Sequence, residues 1–173
     1  MKSSIVRTAS LLCALLAVGC GNDASVVQRS GQPAVVAFDN RDGEMAAAIR
    51  EARDSVQAFI AELPALRGRG DYVAIKAPIT GGPGTEHVWL TSPAFSDGAF
   101  HGVIDNVPLG GRLKLGDSVT VKVSEISDWM AVRQGELYGG FTVILARARM
   151  SSAERANFDA GAPFRVPATA RRF

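Results

Sequence analysis

The protein has 173 residues, a length that suits one domain of ordinary size. Hydrophobic residues make up 47% and charged residues 21%, a balance typical of globular chains that excludes a disordered one. Lys2 and Arg7 account for the formal net charge of +2, since the other 17 basic residues match the 17 acidic ones. A neutral domain has no electrostatic basis for binding nucleic acid, so we expect no nucleic-acid partner.

The amino terminus has the three-part pattern of a secretory signal peptide. Lys2 and Arg7 precede an apolar core at residues 9–18. That core is about half of the roughly 20 residues that a membrane-spanning helix needs. We therefore predict a cleaved signal peptide over residues 1–19.

The two cysteines of the chain, Cys13 and Cys20, both lie in this region. Residues 16–20 (LAVGC) resemble the bacterial lipobox, with Ala17 where that motif usually has Leu. The resemblance implies that Cys20 is acylated, as by palmitate, and becomes the amino terminus of a lipoprotein. By resemblance to enterobacterial sorting, Gly21 favours the periplasmic face of the outer membrane.

The chain after Cys20 begins with a polar stretch that precedes a helix. Residues 20–38 are mixed and polar, which predicts a tether. Apolar residues then recur at steps of three and four from Asp42 to Leu63, the pattern of an amphipathic helix that faces a core. Asp42 is the expected cap of this helix and Pro64 its expected stop.

Beyond residue 70 the apolar period changes to two, which indicates strands. The expected strands lie at residues 72–79, 86–91, 99–106, 118–124 and 141–146. A capping box from Ser151 to Glu154 predicts a short helix, and residues 160–173 are expected to form a flexible tail. A helix followed by strands predicts an α+β fold, in which one long N-terminal helix packs on a curved antiparallel sheet of about five strands.

Several motifs in this order resemble a known family. They are residues 52–53 (AR), 86–90 (EHVWL), 100–108 (FHGVIDNVP), 126–130 (ISDWM) and 139–142 (GGFT). The set resembles the YegJ-like family, a bacterial domain of unknown function. The resemblance implies a compact α+β domain over about residues 39–159, of a kind common in secreted or lipid-anchored proteins. The resemblance does not supply an activity.

Six residues form the candidate binding surface: His87, Trp89, His101, Asn106, Asp128 and Trp129. Asp128 and Trp129 line a groove in one hypothesis, because Trp is enriched at binding hot spots. In the other, Trp129 fills the open end of the sheet and Asp128 caps a turn. Trp89 is expected to pack with Trp129 in or beside one core, and Asn106 to bond the backbone of its own turn.

The two histidines of the chain, His87 and His101, raise the alternative of a metal site. Glu86, Asp97 or Asp105 would then supply oxygen ligands. The sequence has no closely spaced ligand pair such as His-x-His to favour this alternative. We therefore predict no bound metal, no cofactor and no catalytic residues.

These observations predict a lipid-anchored protein of the bacterial envelope. We expect a non-catalytic binding or accessory module whose partners are the membrane, through the lipid, and an envelope protein or cell-wall ligand. One alternative is a metal-assisted hydrolase that uses the two histidines. A further alternative is an immunity or stress-protective protein, which would also act by binding.

Overall fold

The structure is a computed structural model that describes residues 15–16, 25–29, 32–37, 42–80, 85–106, 108 and 113–173. Its elements in chain order are β1 (Leu15–Leu16), β2 (Ser25–Arg29), β3 (Gln32–Ala37), α1 (Gly43–Arg69), β4 (Tyr72–Thr80), β5 (Thr85–Ser96), β6 (Ala99–Ile104), β7 (Ser118–Lys122), β8 (Asp128–Arg133), β9 (Glu136–Gly139), α2 (Phe141–Arg149) and α3 (Ser152–Gly161). The α+β class is confirmed, with one long helix ahead of an antiparallel sheet. Cys20 lies outside the described residues.

Strands β4 to β9 form the antiparallel part of the sheet. The order of neighbours is β5, β4, β8 and β9, while β6 pairs with β5 and β7 pairs with β6. A register shift between Thr91 and Ala94, with Ser92 at a φ of 50°, lets β5 leave β4 and continue along β6. Because of this bend, β5 pairs with β4 along its first part and with β6 along its second part.

The three amino-terminal strands extend the sheet beyond β5. Strand β1 pairs antiparallel with the start of β5 and parallel with β3, and β2 pairs antiparallel with β3. Because β1 lies within the predicted signal peptide, cleavage before Cys20 would remove it.

Helix α1 begins and ends with defined caps. The Asp42 carboxylate accepts hydrogen bonds from the Glu44 and Met45 amides at 3.1 and 3.0 Å, which confirms the predicted cap. The predicted stop at Pro64 is wrong, since the helix continues to a left-handed Gly70. Leu66, past the proline, is fully buried, and its burial offsets the backbone hydrogen bond that Pro64 removes.

The sheet is covered on both faces. The face toward α1 is apolar, and Ile75, Leu90 and Trp129 there join Phe59 of the helix in one core cluster. The opposite face carries a second cluster, in which Ala74, Trp89 and Met130 pack with Val143, Phe158 and Phe164 from the end of the chain. Side chains alternate between the two faces along each strand, as the strand period of two requires.

The predicted strand at residues 141–146 is wrong, because these residues open helix α2. A short apolar run is ambiguous between strand and helix on its period alone. The last strands are instead β8 and β9, joined by a two-residue turn at Gln134 and Gly135, both at positive φ. The predicted capping box is confirmed, since the Ser151 hydroxyl accepts from the Glu154 amide at 3.3 Å at the start of α3.

The carboxyl terminus makes more contacts than a flexible tail would. Phe164 and Val166 pack against the second cluster, and Ala170 and Phe173 pack against the first. The chain therefore crosses from one face of the sheet to the other after α3.

Candidate functional site

The motifs identified in the sequence meet around β4 and β8. Lys76 of β4 stands opposite Asp128 of β8 on one side and opposite Trp89 of β5 on the other. Directly opposed residues project from the same face of a sheet, so these three side chains form one row. Each is at most 1% exposed. The Lys76 ammonium lies 5.4 Å from the centroid of the Trp89 ring, within range of a cation–π interaction.

Asp128 holds the amino terminus of α2. Its Oδ1 accepts hydrogen bonds from the Trp129 amide at 2.8 Å and the Phe141 amide at 3.2 Å. Its Oδ2 accepts from the amide and the hydroxyl of Thr142, at 2.8 and 2.6 Å. Gly140, which precedes the helix, offers no side-chain cap, so Asp128 supplies the cap from a neighbouring strand.

Burial and local charges act on Asp128 in opposite directions. Burial raises the pKa of Asp128 to about 6, while the hydrogen bond from Thr142 and the positive charge of Lys76 lower it. Lys76 also contacts the Thr142 hydroxyl, at 3.4 Å. The partial positive charge of the α2 amino terminus favours the ionised carboxylate as well. Lys76, Asp128 and Thr142 thus form a closed polar cluster on the face of the sheet that carries the second cluster.

Two glycines bring α2 close enough to reach Asp128. Gly139 and Gly140 both have positive φ, at 66° and 67°. A Cβ at Gly139 would lie 2.3 Å from the Trp129 carbonyl oxygen and 2.6 Å from its ring. The backbone therefore passes over Trp129 at a distance that only glycine allows.

Trp129 connects β8 to α1 on the other face. Its indole N–H donates to the Ala52 carbonyl at 3.0 Å and to the Ser55 hydroxyl at 3.1 Å. Arg53, the residue after Ala52, donates from Nε to the Ile126 carbonyl at 2.7 Å. The Ala-Arg pair of the helix motif thus joins α1 to Ile126, just before β8, and to Trp129 within β8.

His87 pairs with Ser127 of the motif at residues 126–130. Its Nδ1 lies 2.8 Å from the Ser127 hydroxyl, and the Ser127 amide donates to the Lys76 carbonyl at 2.7 Å. Burial lowers the pKa of His87 to about 4, and the charges of Lys76 and Arg53 act in the same direction. The pair has the distance of a base and a nucleophile. Ser127 is only 1% exposed, however, so a substrate has no access to its hydroxyl.

Asn106 bonds across the sheet and not within its own turn. The Asn106 side-chain carbonyl accepts from the Trp89 amide at 3.0 Å, and the Asp105 amide donates to the Trp89 carbonyl at 3.1 Å. Trp89 and Trp129 belong to separate clusters on opposite faces, which corrects the expectation of one shared core.

The two histidines occupy different parts of the sheet. His87 is near the start of β5, whereas the exposed His101 pairs with Ala94, seven residues further along that strand, or roughly 23 Å at strand geometry. His101 contacts the Ser96 and Thr120 hydroxyls at 3.1 and 3.0 Å. Among the residues that the structure describes, no group of three or more His, Cys, Asp or Glu side chains could hold a metal ion. The metal-assisted alternative therefore finds no geometric support.

Four of the six residues expected on a binding surface lie in the interior instead. They are Trp89, Asn106, Asp128 and Trp129, each at most 3% exposed. The Asn106 side-chain carbonyl, the Asp128 carboxylate and the Trp129 indole N–H bond to strand and helix backbone. The Trp89 indole N–H and the Asn106 side-chain amide N–H groups are buried without a hydrogen-bond partner among the described residues. Sequence reasoning missed Lys76 and Thr142 as partners of Asp128. A lysine inside an otherwise apolar strand was the signal for Lys76, since an interior charge requires a partner.

Comparison with known sequences identifies these motifs. Residues 42–164 match a family described as "Uncharacterized protein conserved in bacteria (DUF2314)". The chain belongs to the DUF2314 family. The match begins at the α1 cap and ends after α3, so it covers α1, the buried residues of both clusters and the closed polar cluster.

Two curated relatives carry part of this DUF2314 sequence. The chain is 40% identical over 100 residues to "Uncharacterized protein YegJ" of Escherichia coli K12, an alignment that covers 57% of this chain and 64% of that protein. It is 38% identical over 97 residues to a protein of Neisseria meningitidis serogroup B named for ankyrin repeats, covering 52% of this chain and 38% of that protein. The chain thus spans less than two thirds of either relative. No solved structure matches it.

Proposed function

We propose that this chain is a lipid-anchored protein of the bacterial envelope whose DUF2314 domain is a non-catalytic binding or accessory module. The closed polar cluster of Lys76, Asp128 and Thr142 carries the non-catalytic part of the proposal. These side chains are at most 1% exposed, and Asp128 uses both oxygens to hold α2. A group enclosed and engaged in this way stabilises a fold and has no route to a substrate.

The lipid anchor rests on the sequence. A basic start, a short apolar core and a small residue before Cys20 are the features of a lipoprotein signal. A mature lipoprotein carries three acyl chains, and two or more hydrophobic attachments are sufficient for stable membrane binding. Among the described residues no helix is both long and apolar enough to span a bilayer. An acyl anchor at Cys20, followed by Gly21, would hold the domain at the outer membrane.

The anchor is tested by substituting Cys20 with Ala in the full chain. Cys13→Ala is the matched control, because it removes the other cysteine of the chain, which lies in the apolar core ahead of Cys20. We expect the wild type and Cys13→Ala to fractionate with membranes and to have the mass of a processed, acylated chain. Cys20→Ala should lack the mass of the acyl chains, and its signal peptide should no longer be cleaved after residue 19. Unchanged fractionation and mass in Cys20→Ala would refute the anchor.

A further inference from the structure

Strand β1 lies between two longer strands in the sheet of the full chain. Its two residues pair antiparallel with the start of β5 on one side and parallel with the end of β3 on the other. Leu15 is opposed to His87 of β5 and is aligned with Val36 of β3. Among the described strands, β3 pairs with β1 and β2 alone, so β1 joins the β2–β3 hairpin to the rest of the sheet.

Cleavage of the predicted signal peptide would remove β1 and leave two open strand edges. β5 would lose its neighbour at Glu86 and His87, and unpaired backbone groups at a sheet edge favour pairing with another strand. The β2–β3 hairpin would lose its third strand, and a two-stranded hairpin alone is marginally stable at best in water. Both edges would therefore gain stability by pairing.

β3 already runs in the direction that pairing with β5 requires. It is parallel to β1, and β1 is antiparallel to β5, so β3 is antiparallel to β5. The registers coincide as well, because Val36 and His87 both align with Leu15. Val36 would therefore meet His87 after a translation of one strand spacing, about 4.8 Å, without reversal of the strand or a slip in register.

The backbone groups of Val36 and His87 also match. Opposed residues of an antiparallel pair point their N–H and C=O groups either both toward each other or both away, whereas only one of two aligned residues in a parallel pair does so. If Leu15 bonds His87, Val36 points toward β1, and if Leu15 points toward β3, both Val36 and His87 point away from β1. In either arrangement Val36 and His87 are oriented as an antiparallel pair requires.

We propose that removal of the signal peptide lets β3 close onto β5, so that Val36 is opposed to His87 in the sheet of the mature domain. β1 then serves as a temporary strand, which covers the edge of β5 in the uncleaved chain and holds β3 in register. Closure pairs both open edges with each other, using a segment that the mature chain retains. The inference rests on the proposed function for the cleavage, and it adds a conformational step that follows cleavage.

Disulfide formation distinguishes the two arrangements, because it depends on the distance between Cα atoms. A disulfide needs about 4.4–6.8 Å between these atoms, and opposed residues of an antiparallel pair are about 4.5–5.5 Å apart. With β1 in place, Val36 and His87 are two strand spacings apart, roughly 9.6 Å, which is too far. The test variants are Val36→Cys/His87→Cys and the next aligned pair, Ala37→Cys/Glu86→Cys.

The host for these variants is the full chain with Cys13→Ala and Cys20→Ala, which removes both native cysteines. The recognition site of a site-specific protease is inserted after Gly21, so that β1 can be cut from the purified chain and separated by size exclusion in detergent. Samples are oxidised with glutathione before and after cleavage, and mass spectrometry measures the intramolecular disulfide. We expect the disulfide-bonded fraction to increase at least tenfold after cleavage in at least one test variant.

The matched control is Val26→Cys/His87→Cys. Val26 of β2 is opposed to Val36, so it lies one strand further from β5 and should form no more disulfide after cleavage than before. No increase in either test variant, or an equal increase in the control, would overturn the proposal. A disulfide between two molecules would assign the opened edge to a second copy of the chain and would overturn the proposal as well.

Hydrogen exchange of the backbone amides covers the case in which the paired variants misfold. In the cleaved host without introduced cysteines, we expect the amides of residues 34–37 to exchange at least tenfold more slowly than in an unstructured chain. Exchange at the unstructured rate, or unfolding of the cleaved host in circular dichroism, would overturn the proposal. The outcome is independent of the Cys20 test, because the inserted site is cut whether or not Cys20 is acylated in the cell.

Discussion

Two aspartates hold two helix amino termini in this protein, and their surroundings give them opposite properties. Asp42 caps its own helix at the surface, and the hydrogen bond from Arg149 lowers the pKa of Asp42 to about 2. Asp128 caps α2 from a neighbouring strand, and complete burial raises the pKa of Asp128 to about 6. Both carboxylates accept hydrogen bonds from backbone amides. The environment of a cap therefore decides how strongly it responds to pH and to substitution.

The largest expected effect comes from removing the buried cap. Asp128→Ala should lower the free energy of unfolding by about 3–5 kcal/mol, because it leaves two α2 amides and the Thr142 hydroxyl without their acceptor in the core and removes a negative charge near Lys76. Urea denaturation measures this difference. Asp54→Asn, an exposed change on α1, is the control and should stay within about 0.5 kcal/mol of the wild type. A loss below 1 kcal/mol for Asp128→Ala would remove the contrast between the two caps.

The second expected effect tests the close approach that brings α2 onto Asp128. Gly139→Ala should lower the free energy of unfolding by about 3 kcal/mol, because its Cβ would collide with Trp129 and its φ of 66° disfavours an L side chain. Gly135→Ala is the matched control, with a φ of 78° and no atom within 4 Å of the added Cβ. It should show only the cost of positive φ, about 1 kcal/mol. Equal losses in the two variants would show that contact with Trp129 has no part in the effect.

The third prediction concerns the pH dependence of stability. As the pH falls, the contributions of the two caps to the free energy of unfolding should change in opposite directions. Because the folded-state pKa of Asp128 is about 6, above the ordinary aspartate value of 3.8, the folded chain binds a proton that the unfolded chain releases between these values. The stability of the wild type relative to Asp128→Asn should therefore increase as the pH falls from about 6 to about 4. The stabilisation from Asp42, whose pKa is about 2, is present above pH 4 and is lost as the pH falls toward 2. Urea denaturation of both Asn variants across this range measures the two slopes, and parallel curves would contradict the assignment.

The smallest expected effect is loss of the surface cap. Asp42→Ala should lower the free energy of unfolding by about 1–2 kcal/mol, through the lost cap and its ion pair with Arg149. Thermal denaturation at low and high salt checks this value. The difference between Asp42→Ala and the wild type should shrink with added salt, because salt screens the exposed pair. A salt-independent loss larger than that of Asp128→Ala would reverse the comparison.

The sequence predicted local features that depend on neighbouring residues. The Asp42 cap, the apolar stripe of α1, the strands at β4 and β6 and the Ser151–Glu154 capping box all follow from spacing over a few positions. The order of motifs also identified the family. Lipidation at Cys20 is likewise local in sequence, and it stays a prediction.

The site residues were recognised without their positions in the fold. Asp128 and Trp129 stood out as a pair, yet which face each occupies follows from the period of β8, which the sequence did not reveal as a strand. The contacts of Asp128 with Phe141 and Thr142 join positions 13 and 14 residues apart, across a strand pair and a turn. Pattern reasoning over short windows does not reach contacts of this range.

Sequence alone determined that the chain is an α+β protein with a long amphipathic helix, and it identified the residues that distinguish the family. Tertiary structure decided the rest, above all that residues 141–149 are a helix and that residues 165–173 cross the edge of β9, bonding to it at Arg165 and Arg171. The physical reason is the same in both cases. Each segment is weakly biased by its own residues, and each takes its conformation from partners that the fold brings to it. These partners are Asp128 for α2, and the β9 backbone and the Trp129 ring for residues 165–173.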